Sequence, residues 1–120
     1  MYKILITFLV FTSTLLSQFN WQDDGLPIRQ GVHIEWQRTG DVTSDGMMII
    51  AWSDTRNSIR DIYAQKIDSN GNFLWGEDGA IVVDVDGRQE DPLLVSDDNG
   101  GAFIIWRDYR DENYSGDIYA

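Results

Sequence analysis

Asp54 and Arg56 in "AWSDTR" put opposite charges two residues apart, and Asp108 and Arg110 in "IWRDYR" do so again. A carboxylate and a guanidinium that close can share one strand-end loop, either as a polar reaction site or as a structural ion pair. Recurrence favours the second use. A catalytic group is needed once per site, whereas a residue that returns at the same place in successive units holds each unit together. The spacing therefore predicts an Asp–Arg pair that ties down its own loop. Carboxylates of the kind glycosidases use are too numerous here, at 20 Asp plus Glu, for residue type alone to pick out a catalytic pair.

"DVDGRQED" is the other acidic cluster. Asp84, Asp86, Glu90 and Asp91 offer the hard oxygen ligands that calcium takes, but the spacing departs from an EF-type loop. Gly87 directly follows the second Asp, where that loop keeps Gly at position 6 after acids at 1, 3 and 5. The competing reading is a solvated acidic turn. His33 is the single histidine and has Gly87 at the matching place 54 residues on, so it supports neither a metal site nor a triad. Ser53 and Ser96 sit in no nucleophile-elbow sequence. No catalytic constellation is found, and the chain is read as non-enzymatic.

Composition narrows the partners. The excess of 20 acidic over 9 basic residues repels nucleic-acid phosphates and anionic lipid surfaces. With no cysteine, disulfide frameworks, thiolate metal sites and cysteine nucleophiles are closed. Residues 1–17 read as a signal peptide: Lys3 supplies the positive start, Ile4 to Leu16 form an apolar run too short to span a bilayer, and Ser17 is the small residue before cleavage. The expected location is secreted, extracellular or cell-surface, with the periplasm as the alternative compartment and no membrane association after cleavage.

Stepping along residues 18–120 uncovers one dominant offset. Trp21 and Trp75, Gly25 and Gly79, Gly46 and Gly100, Trp52 and Trp106, Asp54 and Asp108, and Arg56 and Arg110 are all 54 residues apart. The tetrapeptide "DIYA" also occurs twice, from Asp61 and from Asp117, but 56 apart. The two extra residues fall in "DENYSG", a polar stretch of the type that surface loops tolerate. A period of this size belongs to propellers and arrays. Within it, "PLLVS", "GAFIIW", "DIYAQKID", "NFLW" and "AIVVDV" read as short strands, and "DDNG" and "DSNG" read as turns that need positive φ. No capped helical stripe is present.

"DGMMIIAWSDTRNSIRDIYAQKIDSNG" resembles the blades of TolB-like β-propeller proteins, through Asp45-Gly46, Ser53 to Arg56, Asp61-Ile62-Tyr63 and Ser69 to Gly71. It is also similar to repeat arrays in secreted bacterial proteins. The resemblance implies an all-β fold of tandem four-stranded antiparallel blades, a partial β-propeller of about two blades, the second truncated at Ala120. Trp52, Asp54, Arg56, Asp61, Tyr63, Trp75, Trp106, Asp108, Arg110 and Asp117 are the expected structural residues. Two blades leave open flanks, so the chain is expected to be a fragment of a longer protein, or else to associate with copies of itself. The expected function is an extracellular binding or scaffold module for protein or polysaccharide. The alternative is part of a propeller-type hydrolase acting on polysaccharide, with its carboxylates in other blades. No cofactor is expected beyond the calcium of the acidic cluster.

Overall fold

The computed structural model describes residues 23–30, 35–111 and 114–120; the expected signal peptide, Trp21 and His33 lie outside them. Seven strands and no helix are found among the described residues. Strands β1 (Glu35–Val42), β2 (Met48–Asp54), β3 (Asp61–Ile67) and β4 (Ala80–Val83) form one antiparallel sheet in the order β1-β2-β3-β4. Strands β5 (Gln89–Ser96), β6 (Ala102–Asp108) and β7 (Asp117–Tyr119) form a second antiparallel sheet in the order β5-β6-β7.

Turn chemistry sets the hairpins. Between β1 and β2, Gly46 takes φ +79° and donates its N–H to the Thr43 carbonyl at 2.9 Å. Between β5 and β6, the Asp97 carboxylate accepts the N–H groups of Asn99 and Gly101, both at 2.8 Å, while Gly100 takes φ +85°. Asp and Asn side chains fold the chain back on itself in this way, and glycine supplies the left-handed backbone. Pairing then continues in register, Ala51 opposite Ala64 and Trp52 opposite Tyr63 in the first sheet, Ile104 opposite Leu94 in the second.

Bulges mark both first strands. The β1 register shifts between Trp36 and Arg38, and the β5 register between Glu90 and Leu93. Gln37 and Asp91, at positive φ of 32° and 54°, sit in these irregularities. Such an extra residue sharpens the local twist of its strand. It also lets the two bulges meet, since the Asp91 N–H donates to Gln37 Oε1 at 3.4 Å.

"NFLW" departs from the expected strand. Ile67 and Phe73 make an isolated bridge, after which the Trp75 N–H donates to the side-chain Oε1 of Gln65 at 3.0 Å instead of extending the ladder. Gln65 is fully buried and also donates from Nε2 to the Gly76 carbonyl at 2.5 Å. A buried amide that saturates the passing backbone ends the hairpin, and the fourth strand is supplied by "AIVV" instead.

The core lies between the sheets. Ile49, Ala51, Ile62 and Ala64 are at most 1% exposed, and the face that carries them also carries Asp41 and Lys66. Asp41 Oδ2 accepts the Ser96 N–H at 2.9 Å, and Lys66 Nζ donates to the Gly100 carbonyl at 2.6 Å, so this face is turned to the second sheet. Apolar burial between layers supplies the drive, and these polar ties fix the register of one sheet on the other.

Candidate functional site

Charge is concentrated at the ends of β2 and β6. Asp54 closes β2 with no exposure of its side chain. Its Oδ2 accepts hydrogen bonds from Arg56 Nη2 at 2.5 Å, Arg56 Nε at 2.8 Å and Trp52 Nε1 at 3.2 Å, while Oδ1 takes the Arg56 backbone N–H at 2.8 Å. Arg29, from the segment before β1, adds a longer contact at 3.4 Å. The Arg56 guanidinium lies over the Tyr63 ring at 3.7 Å, and Tyr63 stacks against Trp52 with centroids 6.3 Å apart. Carboxylate, guanidinium and two aromatic rings thus form one closed stack.

The same stack stands 54 residues on. Asp108 accepts Trp106 Nε1 at 2.9 Å, the Arg110 N–H at 2.9 Å, Arg110 Nε at 3.0 Å and Nη2 at 2.6 Å. The Arg110 guanidinium lies 3.9 Å over Tyr119, which stacks on Trp106 at 6.4 Å. A planar guanidinium can make the fork to a carboxylate and lie on a ring at the same time, which lysine cannot. Tyr119 holds in the second sheet the place that Tyr63 holds in the first, and the second "DIYA" is its sequence signal.

Electrostatics follow the contacts. Burial raises the Asp54 carboxyl, but the hydrogen bonds from Arg56 and Trp52 outweigh it and hold the group below the usual carboxylate range. Hydrogen bonding from Arg110 holds Asp108 down to about 2. Asp61 faces Asp54 across the strand pair, as Asp117 faces Asp108. Burial, and then the nearby charges of Asp84 and Asp54, push Asp61 up, against a 3.4 Å hydrogen bond from Asn57 Nδ2. Two carboxylates with affinities pushed apart are what general acid–base chemistry requires. Here, however, Asp54 has its oxygens occupied by protein donors and Asp61 is 2% exposed, so neither has a face left for substrate. The arrangement can clamp a strand end; it is not built to move a proton to a ligand.

Trp75 sits apart from these stacks, half-buried on the connection to β4, where its N–H is held by Gln65. Asp84, Asp86, Glu90 and Asp91 are not gathered. Asp84 and Asp86 are exposed, Glu90 is paired with Arg60 and with Arg88 Nε at 3.1 Å, and Asp91 is paired with Arg107 Nη1 at 3.3 Å. Among the described residues no three acidic or histidine side chains are grouped closely enough to hold a metal ion. The Arg60–Glu90–Arg88 triplet has no signal in the sequence, because its members come from two sheets. Gln89 beside it is fully buried, and its Oε1 has no hydrogen-bond partner among the described residues.

Comparison of the chain with protein-family models, with curated proteins and with solved structures finds no match.

Proposed function

We propose that this chain is a secreted, non-catalytic, β-propeller-like repeat protein of about two blades, which binds an extracellular protein or polysaccharide through loops set on Asp–Arg clamps. One observation supports the reading above the others. The clamp occurs twice at an offset of 54, whereas the connections that leave it differ by two residues and carry exposed apolar side chains, Ile59 at 46% and Tyr114 fully exposed. Rigid strand ends under variable loops are the arrangement by which scaffolds present binding residues. An exposed tyrosine offers an apolar face for a sugar ring or a protein side chain and a hydroxyl for hydrogen bonding. The leader-like residues 1–17 and the acidic surface place such contacts outside the cell, away from nucleic acid.

The test is retention of the purified chain on a panel of immobilised polysaccharides (cellulose, chitin, xylan, peptidoglycan) and of cell-surface protein, with reducing ends assayed in the supernatant. Retention that Tyr114→Ala and Ile59→Ser abolish, without release of reducing ends, is the expected result. Reducing ends released by the chain would establish the hydrolase reading instead. Retention on none of the panel, or retention indifferent to both substitutions, would refute the loop-binding reading.

A further inference from the structure

The two sheets expose opposite faces. On the first sheet, Ile49, Ala51 and Ile62 are completely covered; the residues 54 or 56 further on, Phe103, Ile105 and Ile118, are 68%, 40% and 69% exposed. Leu93 and Val95 share that second-sheet face, at 62% and 56% exposure, since Leu93 pairs with Ile105 and Val95 with Phe103. Five large apolar side chains thus form one open surface. Its alternation is that of the face which the first sheet buries.

The other alternation shows the reverse. On the second sheet Pro92 and Trp106 are buried and Leu94, Ser96 and Ile104 are half-buried, on the side turned to the first sheet. Their counterparts 54 residues earlier on the first sheet include Arg38, Gly40 and Val42, all exposed, and Ile50, which pairs with Gly40. Arg38, Gly40, Met48 and Ile50 line a shallow groove of about 260 Å³ on that side. One chain therefore carries both halves of the contact it makes internally, one half open at each end.

We infer that a second copy of this chain covers the open second-sheet face, docking its own first-sheet groove there in head-to-tail fashion and continuing the contact that joins the two sheets within one chain. The continuation is chemically better matched for association than the internal one: Leu93 and Val95 stand where the internal contact has Thr39 and Asp41. A purely apolar face gains from burial without the desolvation of a carboxylate. Such a contact is heterologous, so it closes only as a ring. Two, three or four copies give four to eight sheets, the span of closed propellers. The inference rests on the proposed reading only in taking the sheets as successive like units; it is independent of any ligand.

The complete 120-residue chain, expressed from Met1, is examined by light scattering across a dilution series, with near-ultraviolet circular dichroism confirming that each variant keeps its tryptophan environment. Leu93→Glu/Phe103→Glu spoils one half of the contact and Val42→Glu/Ile50→Glu the other. The wild-type chain is expected to assemble, each double variant to associate at least about 100-fold more weakly, and their mixture to form a one-to-one pair, because each supplies the half the other lacks. A folded monomeric wild type overturns the inference, whether the face is left bare or binds only a foreign protein. So does an assembly broken by Leu93→Glu/Phe103→Glu alone, which would mean like faces pairing, and so does a mixture that stays monomeric. An assembly that binds no polysaccharide or protein would refute the proposed function and leave this inference standing; a monomer retained on the panel would do the opposite.

Discussion

Replacing Asp54 by Ala should be among the most damaging single changes in the chain. The substitution leaves the Arg56 guanidinium, whose side chain is 13% exposed, beside Tyr63 with no carboxylate, and strips the partner from the buried Trp52 Nε1 and from the Arg56 N–H. Breaking a buried pair by removing one partner costs about 3–5 kcal/mol. Arg56 keeps some solvent and its ring contact, so the low end of that range, about 3 kcal/mol, is expected. For a domain of this size that corresponds to a fall in Tm on the order of 10–20 °C. Urea melts at fixed protein concentration, followed by tryptophan fluorescence, give the number. The exposed Asp24→Ala serves as the control and should stay within about 0.5 kcal/mol of wild type. Asp54→Ala/Arg56→Ala should cost less than the sum of the two single changes by at least about 1 kcal/mol, since removing both partners removes the orphaned charge. An Asp54→Ala variant as stable as the control, or strictly additive singles, would refute the clamp.

Three further outcomes follow from the same contacts. Gly79→Ala and Gly46→Ala both force alanine into positive φ, but a Cβ at Gly79 would lie 2.7 Å from the Ala64 carbonyl oxygen and 2.8 Å from Trp52 Cη2, while one at Gly46 meets nothing within 4 Å. Gly46→Ala should cost about 1 kcal/mol and Gly79→Ala at least about 2 kcal/mol more, read from paired denaturation curves. Stability should peak at mildly acidic pH: Asp61, pushed up, is relieved as pH falls from 7, whereas Asp54 and Asp108, held down, lose their contribution as pH falls from about 4 through about 2. A thermal-melt series against pH that falls steadily from pH 7 to 4 would contradict this sign. Gln89→Leu removes a buried oxygen without a partner at the expense of one 3.2 Å hydrogen bond to the Gly87 carbonyl, so it should change stability by less than about 1 kcal/mol, whereas Gln65→Leu, which loses three bonds, should cost at least about 2 kcal/mol.

Strand-forming runs and their turns were legible in the sequence because they depend on neighbours. Asp-Gly and Asn-Gly dictate left-handed backbone wherever they occur, and apolar alternation dictates a face. The pairing of Asp54 with Arg56 was legible for the same reason, since two residues apart on a strand end leaves little choice of partner. What the sequence hid is set by distant contacts. "NFLW" has the composition of a strand, but a buried amide ten residues earlier takes its N–H. Glu90 looked like a ligand in an acidic loop until Arg60, from the other sheet, reached it. Gln37 and Asp91 carry no turn signature, and their bulges appear only when the sheets are laid together.

Exposure is the clearest case of this dependence on distant contacts. "MIIAWSD" and "AFIIWRD" have nearly one pattern, yet burial reads iBiBBBB along the first and ieieBeB along the second. No local rule distinguishes Ile49 from Phe103. The difference is that a sheet lies over one and not the other, and a strand with apolar residues at both alternations is written for burial on both sides. Each sheet here is therefore an interior layer by composition, whereas a stack of two has only one interior contact. The clamps bear on this as well. Each Asp–Arg–Tyr–Trp stack is satisfied within its own sheet, so it stabilises a unit without fixing how many units follow. Number is left to the apolar faces, which end only when every one has a neighbour.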